Sequence, residues 1–223
     1  MKSSVGIIFM VIWLIGCSSN ADKLIAKAES EPDPTKALAI IRQTEEYYKE
    51  NPISNYNEKD RLLQAEDKYF TLAAKSGNEH VLRELFEYRS GKWVALQDEL
   101  QPNVLERAKT TNNPDLLAAA AAIYGNNKVN VINTSERVNY LMRAWKAGDK
   151  PSAGLLSHHF VRLKDYDSAY LWSLRCIRDC DREKGIEQGE YINQIKLGEL
   201  EKHLNNVEII NIQKEAAIQP AKK

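Results

Sequence analysis

The sequence predicts an all-α protein built of stacked antiparallel helix hairpins, and three observations carry that expectation. From Ala37 onward apolar residues recur at helical spacing, with no sustained alternation of period two. Glycine and proline, 10 and 7 of 223 residues, are too sparse for the many turns of an all-β chain, whereas Ala, Leu, Glu and Lys are plentiful. Turn signals interrupt the helical pattern at short intervals, as stacked hairpins require. The 31 Lys plus Arg against 31 Asp plus Glu leave a formal net charge of +0. That balance argues against a nucleic-acid or anionic-lipid binder, which needs clustered positive charge to displace counterions.

Residues 1–16 read as a sorting signal. Lys2 gives a basic start, and Val5 to Gly16 is an apolar run of twelve residues. About 20 apolar residues are needed to cross a bilayer, so the run has signal-peptide rather than membrane-span length. It ends in Leu14-Ile15-Gly16-Cys17, which resembles a bacterial lipobox. That resemblance implies a diacylglyceryl group on the Cys17 sulfur, cleavage after Gly16 and acylation of the new amino terminus. Several acyl chains at one site hold a protein on a membrane where one chain does so only marginally. The alternative is an ordinary secretory signal with a chance cysteine. Ser18-Ser19-Asn20 follows without an Asp beside the cysteine, which under the sorting rule that accompanies the resemblance implies the outer membrane, facing the periplasm. Residues 17–34 are expected to be a lipidated tether, although Ala21 to Ala28 has helical character.

The repeat domain is expected over residues 35–204. Its first helix contains Ala37, Leu38, Ile40, Ile41, Tyr47 and Tyr48, opened by Asp33 as N-cap with Pro34 in the first turn and stopped by Asn51-Pro52. A second runs from about Glu58 to Ser76 and ends at Gly77. Further breaks fall at Gly91, Pro102, Asn112 to Pro114, Asn126-Asn127, Gly148 to Pro151 and Lys164-Asp165, giving about nine short helices. A last helix is expected from about Ile186 to Leu204 as a cap on the array, weakened by Gly189 and Gly198. Residues 205–223 read as a polar, frayed tail, since Val207 to Ile212 alternates only loosely.

Self-similarity is visible at the turns. Ala73-Ala74-Lys75-Ser76-Gly77-Asn78 and Ala144-Trp145-Lys146-Ala147-Gly148-Asp149 share a helix end followed by glycine and a polar residue, and equivalent anchors fall at Asn112 and Cys180. Leu85, Ala120 and Leu156 stand eight positions after the first three anchors; Tyr124 and Phe160 stand twelve after the second and third. Together with Asp165, Tyr166, Ala169 and Trp172, these residues make the stretch from Ala65 to Cys180 similar to the Sel-one-like repeat family, longer relatives of tetratricopeptide repeats. The match is degenerate. Asn112 and Cys180 replace a usual glycine, Phe86, Ala121 and Ser157 a second one, and Cys176-Ile177 an Ala-Ala pair. The resemblance implies a right-handed superhelical array of antiparallel helix hairpins that approach closely through small residues, with aromatics filling the gaps between repeats.

With Cys17 acylated, Cys176 and Cys180 remain as an even pair, one helical turn apart, in a compartment that oxidises thiols. Their spacing is compatible with a disulfide and also with two partly buried free thiols. Their Cys-x-x-x-Cys interval differs from the thioredoxin-type redox motif. His158 and His159 are adjacent and diverge by about 100° on a helix, which disfavours a shared metal. His80 and His203 are isolated. Glu45-Glu46 and Glu199 with Glu201 lie among lysines at helix-surface spacing and read as solvated faces. Trp145 and Trp172 are expected in the core and Trp93 in a connection. Asn133-Thr134-Ser135 matches a glycosylation sequon, discounted because the lipobox implies a bacterium. No nucleophile elbow, phosphate loop or dinucleotide fingerprint is present.

The expectation is therefore a protein-binding module without catalysis, cofactor or metal, held to the membrane through Cys17. Its protein partner would be an envelope protein, or a toxin effector delivered into the periplasm by a contact-dependent secretion system and neutralised there by an immunity lipoprotein. A peptidoglycan-associated binder with an aromatic-lined groove is the alternative class.

Overall fold

A computed structural model of the chain describes residues 20–43, 56–88, 91–125, 134–180 and 197–218. These residues form eleven α-helices and one short 3-10 turn, and no strand is found among them. The chain divides into two compact units, one up to Ala73 and one from Ala74 onward.

The first unit holds α1 (Asn20–Glu29), α2 (Pro34–Arg42) and nearly all of α3 (Tyr56–Lys75). The α2 start follows the sequence expectation: Asp33 accepts from the Thr35 and Lys36 amides at 2.8 and 3.4 Å, with Pro34 at the first position. The helical character read over Ala21 to Ala28 is present as a helix over residues 20–29, and this part of the expected tether is packed on α2. Ala21 and Ala28, seven residues or two turns apart, are buried on one face. Glu58 accepts the Ala21 amide at 3.1 Å, Arg61 pairs with Asp22, and Arg42 pairs with Glu66 at 3.2 Å. Leu62, Ala65, Tyr69, Phe70 and Ala73 line the buried side of α3. Tyr47, Tyr48 and Asn51-Pro52, assigned above to a helix and its stop, lie outside the described residues.

The second unit contains α4 (Glu79–Glu87), a 3-10 turn (Gly91–Trp93), α5 (Val94–Thr110), α6 (Pro114–Gly125), α7 (Thr134–Lys146), α8 (Pro151–Leu163), α9 (Tyr166–Cys180), α10 (Leu197–Glu201) and α11 (Asn206–Ala217). Helix α6 packs against α4, α5 and α7, and every residue from Leu116 to Ala121 is buried. Its alanines let three neighbours approach one backbone. A core of Leu117, Ala120, Tyr140, Leu141, Ala144, Trp145, Ala153, Leu156, Trp172 and Cys176 continues into α7, α8 and α9. A second cluster joins Ala169 and Tyr170 of α9 to Leu200 and Ile212.

Two expectations are corrected. Pro102 does not separate helices; it lies inside α5, on an exposed face. The hydrogen bond it removes belongs to the carbonyl of Asp98, whose side of the helix is exposed, so water can take its place. Residues 206–217 are helical rather than frayed. Asn205 accepts from the Val207 and Glu208 amides while Glu208 accepts the Asn205 amide, a reciprocal capping box, and Ile212 and Ala216 are buried. Of the helix expected over 186–204, residues 197–201 are helical and 186–196 lie outside the described residues.

Candidate functional site

Three of the four sequence anchors, Gly77, Asn112 and Gly148, stand in turns built alike at one position; the residues after the fourth, Cys180, lie outside the described residues. One residue past Gly77, Asn112 and Gly148 stand Asn78, Asn113 and Asp149, and each side chain accepts an amide of the helix that follows. Asn78 takes Val81 at 3.0 Å, Asn113 takes Leu116 at 3.1 Å and Asp149 takes Ser152 at 3.2 Å. Such side chains satisfy amides that a helix start otherwise leaves without a partner. Gly77 and Gly148 have φ of +84° and +111°, the left-handed region in which glycine carries no Cβ penalty. Asn112 does not share it; α5 ends instead on an extended Thr111.

Arginines brace two of the turns from about thirty residues downstream. Arg107 on α5 donates to the Gly77 carbonyl at 3.0 Å and pairs with Glu79. A Cβ on Gly77 would stand 2.9 Å from the Arg107 guanidinium, so the bare glycine also makes room for the brace. Arg143 on α7 donates to the carbonyls of Ala108, Lys109 and Thr111 at 2.9, 3.2 and 2.9 Å. These carbonyls close α5, where a cation is also favoured by the helix dipole.

A further network centres on Arg83 of α4, which pairs with Glu87 at 2.8 Å, Asp115 of α6 at 3.0 Å and Asp149 at 2.8 Å. One guanidinium thereby ties α4 to the starts of α6 and α8. Burial works against its charge, but Glu87 and Asp149 more than offset this and raise its pKa. Burial is also the main reason the Glu87 carboxyl titrates above its usual range; Arg83 opposes the rise and Asp149 adds to it. Sequence reasoning missed this network because its members are up to 66 residues apart. The cap residues were the available signal.

Trp145 and Trp172 are buried as expected and meet edge to face with centroids 5.1 Å apart. The Arg175 guanidinium lies 4.9 and 4.6 Å from their ring centres, with Glu215 of α11 at 3.6 Å. Trp93 is buried at the 3-10 turn with Lys92 over its ring. Cys176 and Cys180 are joined as a disulfide, with Cα atoms 4.8 Å apart, and both are buried against the Trp172 cluster.

His158 and His159 lie on α8. His159 is only 8% exposed, packs edge to face on Phe160, and its Nε2 has no hydrogen-bond partner among the described residues. Burial, and then the charges of Arg137 and Arg162, lower its pKa. His80 approaches Asp115 at 3.6 Å, and His203 stacks on Tyr166 with centroids 3.8 Å apart. Glu199 pairs with Lys202 at 2.8 Å, while Glu201 departs from a purely solvated role by accepting the Tyr170 hydroxyl at 2.5 Å. Among the described residues no group of three or more His, Cys, Asp or Glu side chains is arranged to hold a metal, and no helix is long and apolar enough to cross a membrane. Cys17, Glu45-Glu46 and Asn133 lie outside the described residues.

No family model, curated protein or solved structure matches the chain.

Proposed function

We propose that the chain is a bacterial lipoprotein, anchored through Cys17 to the periplasmic face of the outer membrane, whose Sel-one-like helical array binds another protein. The observation that carries this reading is the recurrence of one turn design, with caps at Asn78, Asn113 and Asp149 and arginine braces on two of the three turns. Side chains spent on such turns hold successive helices in register. The remaining outward residues are then free to meet a partner, as in other helical repeat arrays. The lipobox-like Leu14-Ile15-Gly16-Cys17 supports the anchor. The partner class is an envelope protein or a periplasm-delivered toxin effector, and the module supplies no reaction of its own.

Photocrosslinking in cells tests the binding role. A photoreactive phenylalanine analogue replaces Tyr88, Leu163 or Val207, all exposed. The reading expects a discrete protein adduct from at least one position, abolished by disrupting the array with Leu156→Asp. A secreted toxin in that adduct selects the immunity version and an assembly factor selects the scaffold version. Absence of a protein adduct across a wider set of exposed positions, with cosedimentation of the chain with peptidoglycan sacculi, would replace protein binding with the peptidoglycan reading.

A further inference from the structure

The proposed anchor and the start of the first helix are too close together for a free leash. Cys17 stands three residues before Asn20, where α1 begins. At no more than ~3.6 Å per residue, the Cα atoms of Cys17 and Asn20 are separated by at most about 11 Å, whatever path Ser18 and Ser19 take. Acyl chains on Cys17 would therefore hold the beginning of α1 at the lipid headgroups.

The same end of the first unit carries the beginning of α3. Glu58 accepts the Ala21 amide at 3.1 Å, and Arg61 pairs with Asp22. These two links, from the first and second turns of α3 to the first turn of α1, place the two helix starts side by side. Tyr56 is the first residue of α3, two residues from Glu58. It is 86% exposed, the most exposed large apolar side chain among the described residues. Side chains tilt toward the start of their helix, so a first-residue tyrosine leans toward the end of α3 that lies beside the start of α1. Tyrosine favours the headgroup zone, where its ring meets apolar matter and its hydroxyl stays wet.

We infer that the N-terminal unit stands on the membrane by this end, with Tyr56 seated among the lipid headgroups beside the acylated Cys17. The partner of this surface is the lipid leaflet that holds the acyl chains. The inference rests on the anchor reading of Cys17. It adds that the unit is a foot at a fixed height, so the distance from the membrane to the end of α3 is set by a folded helix instead of by a linker.

The test uses the full-length mature chain, purified with its native amino terminus and reconstituted in vesicles of phosphatidylethanolamine and phosphatidylglycerol. An environment-sensitive fluorophore is attached at Y56C or, for comparison, at E29C, an exposed position at the far end of α1. Lipids carrying a headgroup spin label serve as quencher, and mass spectrometry of the amino-terminal peptide reports acylation of the same samples. The expected result is acylated Cys17, several-fold stronger quenching at position 56 than at 29, and loss of quenching at both in a Cys17→Ala chain. Unmodified native Tyr56 gives a second reading: a water-borne iodinating reagent should label it several-fold less in the anchored chain than in the Cys17→Ala chain. Acylated Cys17 with equal or absent quenching, or with unchanged Tyr56 iodination, overturns the foot while leaving the anchor intact. An amino-terminal peptide without acyl chains overturns both.

Discussion

His159 is the residue whose burial has the clearest consequence. Its imidazole is enclosed with a partnerless Nε2, and burial together with Arg137 and Arg162 lowers its pKa below the ordinary value near 6.5. In the unfolded chain the same histidine takes a proton near pH 6.5, so below that pH the unfolded state binds more protons than the folded one. Stability contributed by the neutral ring is fully present above pH 6.5 and is lost as the pH falls toward the lowered folded value. Denaturant unfolding from pH 7.5 to 5 should show this loss, and His159→Phe should flatten that part of the profile. An unchanged slope in the variant would assign the acid sensitivity to other groups. The sequence marked His158 and His159 as a poor metal pair but could not show which was buried. That depends on how α8 packs between α7 and α9.

At the scale of helices and turns, Arg143 and α11 separate what sequence shows from what it hides. Asp33-Pro34, Gly77 and Gly148 were legible because caps and left-handed glycines act within a few residues. The Arg143 brace was not, because its carbonyls lie 32 to 35 residues back along the chain. Arg143→Ala leaves three carbonyl contacts at the end of α5 without their cation. It should destabilise the second unit by about 2 kcal/mol, the range for hydrogen bonds from a charged donor. Guanidine unfolding with Arg143→Lys alongside tests this: all three contacts come from one guanidinium nitrogen, Nη2, so a lysine that keeps a cation at this helix end should recover part of the loss. Helix α11 was hidden for another reason. Val207, Ile209, Ile210 and Ile212 look like loose alternation until Asn205 and Glu208 are seen to close a cap around them. Ile212→Ala should cost about 2–3 kcal/mol by opening space against α9, while Ile210→Ala, at an exposed position, should change stability by less than about 0.5 kcal/mol. Equal, negligible effects would return residues 205–223 to an unstructured tail.

For the molecule as a whole, composition and periodicity were enough to give the all-α class, and helix boundaries followed wherever glycine, proline or a cap spoke locally. Pro102 misled because a proline inside a helix removes one hydrogen bond and crowds the carbonyl four residues back, and on the exposed face of α5 that carbonyl can turn to water. Residues 17–34 were legible only in part: the helical character of Ala21 to Ala28 shows locally, whereas the packing of that helix on α2 and the Glu58 contact to its first turn depend on tertiary placement. The Arg83 network and the Arg175–Trp145–Trp172 stack are products of tertiary placement and have no local signature. Their common effect is to spend many of the chain's strongest polar and aromatic groups on fixing helices against one another. This placement supports the proposed reading of the chain as a protein-binding array. The most direct measurement is quantitative affinity capture of the C-terminally tagged full-length chain from crosslinked, detergent-solubilised envelopes, beside Cys17→Ala and Leu156→Asp controls. The account predicts one dominant protein at near-stoichiometric yield, reduced without the anchor and absent when the array is disrupted. Failure to recover any stoichiometric protein from envelopes in which the chain is folded and anchored would contradict it.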